Sequence, residues 1–553
     1  MSNFRKSKKQ IKRNRKNKLK KTKNIKVQLG GAAAAIHSNG ANLKIPRNNS
    51  VFVNTKIKDI IYKFYGKQEN QHIIFIFKSK HQEIKKNIEE GKITFTVNKI
   101  PYVKKICSKL DILKELIKHG KYHPFAQNFL TEYTASIQSG NNLDIIDNFF
   151  SIKQPTFFQN YECIPLILYD DENKTLEYRK TLNEPYKERN DYIGLLGEYI
   201  SIELSEKIAT QLRHTYVITY NDTTIGKTGI IHINTMTKLA ESILDELIKK
   251  IISNVLIYVY VFDKLKDEKL SLPIVKLYFT GKQKELPPKG NFETVKEYFQ
   301  YSPARPGYPI IKEPSDTATL FTGNYINTAL TVPKKDIVIF REEEMLKVLL
   351  HECMHYFKLI NCNTNNPQSV DHNFAIKSNK HDLTETFIET LADVFNAIII
   401  SPMDSVIFKD NLAREMEFIF KQAGKILQYT GYTNWNEYFK PDNRKDDIKI
   451  WETTNMHNYY IMRTLAFFNL ENIFTMAFRY LLPVPVSVPV PVEKEQKVIG
   501  NPECVEMKKL LTQSITLHEL ESESESESEY ARIINYFISQ PITDMGLRMT
   551  MLE

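Results

Sequence analysis

The chain has 553 residues, 42% of them hydrophobic and 25% charged, with a formal net charge of +11. That composition excludes chain-wide disorder, and no run reaches the roughly 18 uninterrupted apolar residues of a membrane-spanning helix. The excess charge is confined to one end: residues 1 to 58 hold 17 Lys or Arg and no acid, leaving 59 basic against 65 acidic residues, a net of −6, for the rest.

The stretch from Arg5 to Lys26 is Lys-rich and nearly free of apolar residues, so it cannot bury surface and is expected to stay disordered. Clustered positive charge of this kind suits nucleic acid or an anionic surface, through residues 5–26. No apolar run follows it, which argues against a secretory signal. Leu29-Gly30-Gly31 and the Asn/Ser stretch to Ser50 read as linker, giving a basic tail and linker over 1–50. Residues 51–190 mix amphipathic stretches such as Ile106 to His119 with apolar runs such as Ile164 to Leu168; they carry no chemical motif and read as an accessory domain.

From residue 191 the pattern becomes more regular. A helical stretch, Leu195 to Leu212, leads into two β-rich runs, Thr215 to Tyr220 and Gly229 to Ile233, joined by a hairpin-like connection. Gly226-Lys227-Thr228 lies in that connection. It lacks the earlier glycine and the following helix of a phosphate-binding loop, so a turn is the better reading. A helix is expected over Thr237 to Ile252, then strands at Leu256 to Phe262, Ile274 to Phe279, Tyr325 to Val332 and Asp336 to Phe340. Pro483 to Pro491 alternates Pro with Val or Ser and reads as a stiff spacer, while Glu519 to Glu529 is a solvated Glu/Ser repeat. The folded body is therefore expected to end near Leu482, with 483–553 as spacer, low-complexity and terminal segment. The five cysteines are few and show no metal-like spacing, which favours a reducing intracellular compartment: cytoplasm, nucleus or virion.

The segment from Glu342 to Ile360 has apolar residues at helical spacing and three acids in what reads as its first turn. It contains His351-Glu352-Cys353-Met354-His355, an HExxH pattern. Two imidazoles then stand one turn apart on one helical face, with a carboxylate beside them. Chance yields the pattern in fewer than about 0.04 chains of this composition, and two such histidines with a buried acid would be a costly arrangement for a core alone. The spacing therefore points to two ligands of a metal ion and a general base.

A catalytic zinc site needs a third protein ligand and an open position. Lys358 and Asn361 stand where the metzincin pattern needs Gly and His, which leaves a glutamate on a second helix. Asp382-Leu383-Thr384-Glu385 has the form of a capping box that opens a helix through Ile399, giving Glu385 a structural job. One turn later, Glu389-Thr390-Leu391-Ala392-Asp393 puts Glu389 and Asp393 on one face. Glu389 is the expected ligand, Asp393 its partner for hydrogen-bonding an imidazole, and Glu385 the fallback.

HECMH followed by ETLAD resembles the gluzincin metallopeptidases over about 45 residues. The Lys-rich, Asn-rich style and the segment DIVIFREEEMLKVLLHE are similar to uncharacterised metallopeptidase-like proteins of large DNA viruses. The resemblance implies an α+β, zincin-like catalytic domain over 191–482, with a mixed sheet and an active-site helix. It implies one Zn2+ ion on His351, His355 and Glu389, Glu352 as general base, and a peptide or protein substrate. Gluzincins add a Tyr or His donor from a later segment, for which His457, Tyr459 and Tyr460 are candidates. An extended substrate would pair with an edge strand at Tyr325 to Val332. Two rival readings are an inactive zincin-fold interaction protein and a nucleic-acid-binding protein acting through its basic tail.

Overall fold

A computed structural model describes residues 47–101, 211–266, 270–289, 318–332, 336–360, 374–378, 383–439, 448–452, 454–479, 506, 509–511 and 528–552. The basic tail, the Leu29-Gly30-Gly31 linker, Ile106 to His119, Ile164 to Leu168, the Pro/Val spacer and nearly all of the Glu/Ser repeat lie outside the described residues.

Two helices come first, α1 (Arg47–Gly66) and α2 (Gln68–Glu89), followed by β1 (Ile93–Pro101). β2 (His214–Asp222) and β3 (Lys227–Thr235) form the expected hairpin, its turn passing through Gly226 at φ 64°, a left-handed conformation that glycine adopts without strain. Tyr216, Ile218 and Tyr220 of β2 alternate onto the buried face, the period of two that a half-covered sheet requires. α3 (Glu241–Val261) then crosses to β4 (Ile274–Phe279). The strand expected at Leu256 to Phe262 is instead the second half of α3. Every residue from Val255 to Val261 is buried there, so the run is apolar because its helix is covered all round, which periodicity alone does not separate from a buried strand.

β5 (Thr319–Phe321) and a one-turn helix, α4 (Gly323–Ile326), precede the hairpin of β6 (Ala329–Val332) and β7 (Asp336–Ile339). The strand expected over Tyr325 to Val332 is thus shorter, its start being wound into α4. α5 (Met345–Tyr356) carries the HExxH pattern. The chain continues through β8 (Ile376–Ser378), α6 (Leu383–Ile400), α7 (Ser405–Tyr429), α8 (Trp435–Tyr438) and β9 (Ile450–Glu452). A π-helical turn (His457–Met462) runs directly into α9 (Arg463–Phe468), with α10 (Leu470–Arg479) and α11 (Glu529–Ile538) beyond.

The fold is α+β. Its main sheet is mixed, with order β1-β2-β3-β4-β7-β6: β1, β2 and β3 are antiparallel neighbours, β3, β4 and β7 parallel, and β6 returns antiparallel on the edge beside β7. A second sheet is wholly parallel, β5-β9-β8. α5 packs under the β7–β6 end of the main sheet, between α3 and α6. Among the described residues no helix is long and apolar enough to cross a membrane.

Two domain boundaries differ from expectation. Described residues of the 51–190 segment belong to the body: β1 pairs with β2 along its whole length, from Ile93 opposite Asp222 to Pro101 opposite His214, and α2 packs on α3 and α6. Phe77 of α2 stacks on Phe395 of α6 with ring centroids 4.4 Å apart. The body does not end near Leu482 either. Ser528 caps α11 by accepting a hydrogen bond from the Ala531 amide at 3.1 Å, and Tyr530, Ile533, Ile534 and Leu547 are fully buried. All described residues form one compact unit, Arg47–Glu553. The low-complexity composition that precedes α11 hides a return to the core.

α11 sits so close to α7 that a Cβ on Gly424 would lie 2.6 Å from Phe537 Cβ and 2.7 Å from its backbone carbon. Gly424→Ala should therefore destabilise the protein by about 1–3 kcal/mol, as overpacking does, and make α11 accessible to limited proteolysis. A variant with unchanged urea midpoint and protease pattern would show that this contact does not hold α11.

Candidate metal centre

His351 and His355 lie one turn apart on α5 and point to the same side, with their Nε2 atoms 3.0 Å from each other. The acid that meets them is Glu385, on the first turn of α6: its Oε2 lies 3.3 Å from each Nε2. This is the one group of three or more His, Cys, Asp or Glu side chains among the described residues whose donors converge, and it can hold a metal ion. Donors placed 2.0–2.2 Å from one tetrahedral centre are roughly 3.3–3.6 Å apart, so the three present suit a small cation with little adjustment.

The expected ligand, Glu389, takes a different place. Its Oε1 lies 3.2 Å from Nδ1 of His351, the other ring nitrogen, and its Oε2 pairs with Lys347. Asp393 does not reach an imidazole. It pairs with Arg463 at 3.0 Å and with Lys347 at 3.5 Å. The correction follows from helix register. α5 and α6 face each other in opposite directions, so Lys347, His351 and His355 meet Asp393, Glu389 and Glu385 in reverse order, and Glu385 is the acid level with both imidazoles. The carboxylate read as a capping-box partner faces the histidines; Asp382, its expected partner, lies outside the described residues.

Glu352 projects from the same helix and is buried. The Thr331 hydroxyl, on β6, donates to Glu352 Oε2 at 2.6 Å and to its backbone oxygen at 3.1 Å. Burial raises the Glu352 carboxyl to about 7, against the opposing pull of His355 and the Thr331 hydrogen bond. Burial also lowers His351 to about 4, so its ring is neutral at physiological pH, the form that coordinates metals. Glu385 is pushed up by burial too, but the neighbouring His355 and the close approach of both imidazoles outweigh this and hold it ionised.

Of the three expected donors, the structure brings Tyr459 to the cluster: its ring stands edge-on to His351, centroids 6.2 Å apart. It belongs to the π-helical turn, a distortion that often re-aims side chains at functional sites. His457 is engaged in the core, its Nδ1 2.7 Å from the Tyr438 hydroxyl and its ring against Phe374. Tyr460 donates to the Leu547 carbonyl at 2.6 Å.

Several residues around the cluster were not anticipated. Lys347 and Arg463 are fully buried, and both approach Glu389 and Asp393. Glu344, expected in the first turn of the helix, precedes α5 in a left-handed conformation at φ 65° and is turned inward onto Lys284 at 3.0 Å. The sequence held one sign of this network: Lys347 lies one turn before His351 on the same face, where an apolar residue would be expected. No family model, curated protein or solved structure matches this chain.

The network also contains Glu415 of α7, which accepts hydrogen bonds from the Thr550 hydroxyl at 2.9 Å and the Met551 amide at 3.0 Å. Burial and then the charge of Asp393 raise its carboxyl from 4.5 to about 8. The folded protein thus keeps a proton that the unfolded chain releases near 4.5. Stability from this group is fully present below that value and declines as pH rises towards about 8. Glu415→Gln, which keeps an acceptor oxygen, should flatten the fall in stability across this window and gain on the order of a few kcal/mol at its upper end. Urea unfolding at several pH values checks this; a slope identical to that of the parent protein would contradict it.

Proposed function

We propose that the protein is a zinc-dependent peptidase built on a zincin-like body, with His351, His355 and Glu385 as metal ligands and Glu352 as general base. The observation that supports this reading most is the meeting of three well-spaced donors beside a buried carboxylate from the same HExxH helix. Glu389 then has the role first expected of Asp393: it faces Nδ1 of His351, favours a proton there, and leaves the Nε2 lone pair for the metal.

A bound zinc ion would supply Lewis acidity and make a water molecule acidic enough to react near neutral pH. The remaining roles fall to the chain itself. Glu352 is set to take the proton of the attacking water, and its carboxylate is held in one orientation by the Thr331 hydroxyl. The outer side of β6 is the sheet edge among the described residues, so it offers backbone groups to an extended peptide. Because Thr331 belongs to β6, a peptide paired there would run past the base. Tyr459, whose ring lies beside His351, is the candidate to supply a phenol hydroxyl that would stabilise developing negative charge on the substrate carbonyl.

Metal analysis and peptide cleavage together test the proposal. The wild type should carry one zinc per chain, His351→Ala and Glu385→Gln should lose it, and Glu389→Gln should bind it roughly 10–100-fold more weakly. Glu352→Gln should keep the metal and cleave a peptide library roughly 100- to 10,000-fold more slowly. A wild type that refuses zinc would sink the reading, and cleavage by Glu352→Gln at the wild-type rate would remove the peptidase while leaving a metal-binding protein.

A further inference from the structure

Residues 544–552 form a strap that buries Leu547, Met549, Thr550 and Leu552 while Met545 and Met551 stay exposed, and its contacts are specific. The strap pairs with the segment Lys284–Leu286 through two backbone hydrogen bonds, the Leu286 amide donating to the Met545 carbonyl at 2.8 Å and the Leu547 amide to the Lys284 carbonyl at 3.0 Å. The carboxylate of Glu344 accepts from two successive strap amides, Met549 and, at 2.9 Å, Thr550. Arg463 donates from one nitrogen, Nη1, to both the Met549 carbonyl and Asp393, each at 3.0 Å. Asn396 of α6 donates to the Leu552 carbonyl at 2.8 Å. Glu344, Arg463 and Thr550 are all fully buried.

These contacts lead to the His351 imidazole in three links. The strap holds Arg463; Arg463 and Lys347 hold Asp393 and Glu389; Glu389 faces Nδ1 of His351. A buried guanidinium or carboxylate deprived of its partners finds new ones, because leaving it unpaired costs far more than a local rearrangement. Without the strap amides, Glu344, already paired with Lys284, would draw on Lys347 as well. Without the Met549 carbonyl, Arg463 would turn further onto Glu389, which lies 3.6 Å away. Either change would alter how Glu389 is held against His351.

We propose that the strap is an intramolecular ligand that sets the metal affinity of the centre, with Arg463 as the positioning residue through which it acts. The inference rests on the metal-binding reading above. Coupling of this kind is reciprocal: if the strap strengthens metal binding, metal must tighten the strap by the same factor.

The test uses the full chain, loaded with one equivalent of zinc or stripped with a chelator, and follows amide hydrogen exchange in peptides covering 547–552. Zinc should slow exchange there at least tenfold; equal rates with and without zinc overturn the inference. Metal content, measured first, keeps the two ideas separate: a chain that takes up no zinc overturns the metal reading and this inference with it, whereas zinc uptake with unchanged exchange overturns the coupling alone. In Arg463→Lys, which keeps the charge but loses the fork, zinc should bind about 10–100-fold more weakly and exchange at 547–552 should no longer respond to it. Zinc affinity and zinc-dependent protection that match the wild type, beside a lowered melting temperature, would reduce Arg463 to a structural role and overturn its part. Should the variant fail to fold, the exchange measurement on the wild type decides alone.

Discussion

The centre depends on the register of two helices that face each other in opposite directions. α5 offers Lys347, His351 and His355 at one-turn intervals, and α6 offers Asp393, Glu389 and Glu385 in the matching reverse order. Slipping one helix by a single turn would put a lysine where an imidazole must stand. The packing that resists such a slip lies on both sides of the pair: α3 behind α5, where the Tyr258 hydroxyl donates to the Leu350 carbonyl at 2.9 Å, and α2 against α6 through the stacked Phe77 and Phe395 rings. These large aromatic contacts fix the rotation and height of the helices, and the polar ladder takes its geometry from them.

The ladder explains why so many charges are buried in one place. Three cations, Lys284, Lys347 and Arg463, face three carboxylates, Glu344, Glu389 and Asp393, with all six almost fully removed from water. Such a group contributes little net stability, since desolvation offsets much of the attraction, but it is intolerant of losing any one member. That intolerance suits an orienting role: the position of each charge is determined by the others, and Glu389 has little freedom to leave His351.

The sequence showed some of this clearly. The hairpin of β2 and β3, the β6–β7 pair and the HExxH helix were all legible, because turn residues, alternation and helical spacing are local properties. The choice between Glu385 and Glu389 was not, since both lie on the same face of α6 and only the height of α6 against α5 distinguishes them. α3 was split in two by its β-branched second half, whose helical state comes from being covered on every side. The roles of Glu344 and of residues 528–552 were hidden for a different reason: their partners are far off in the chain, with 87 positions between Tyr460 and Leu547 and 206 between Glu344 and Thr550, and a Glu/Ser repeat before α11 gives no hint that the chain turns back inward.

That long separation gives the centre a place in time. The two amides held by Glu344 belong to residues made 205 and 206 positions later. During synthesis, the earlier segments emerge and begin to fold first, and contacts across such distances form last. The histidines and Glu385 can be out of the ribosome while the charges behind them are still without the strap. The finished arrangement therefore marks a chain that has been translated at least through Thr550, and a nascent or prematurely stopped product would carry the same HExxH helix without its final support.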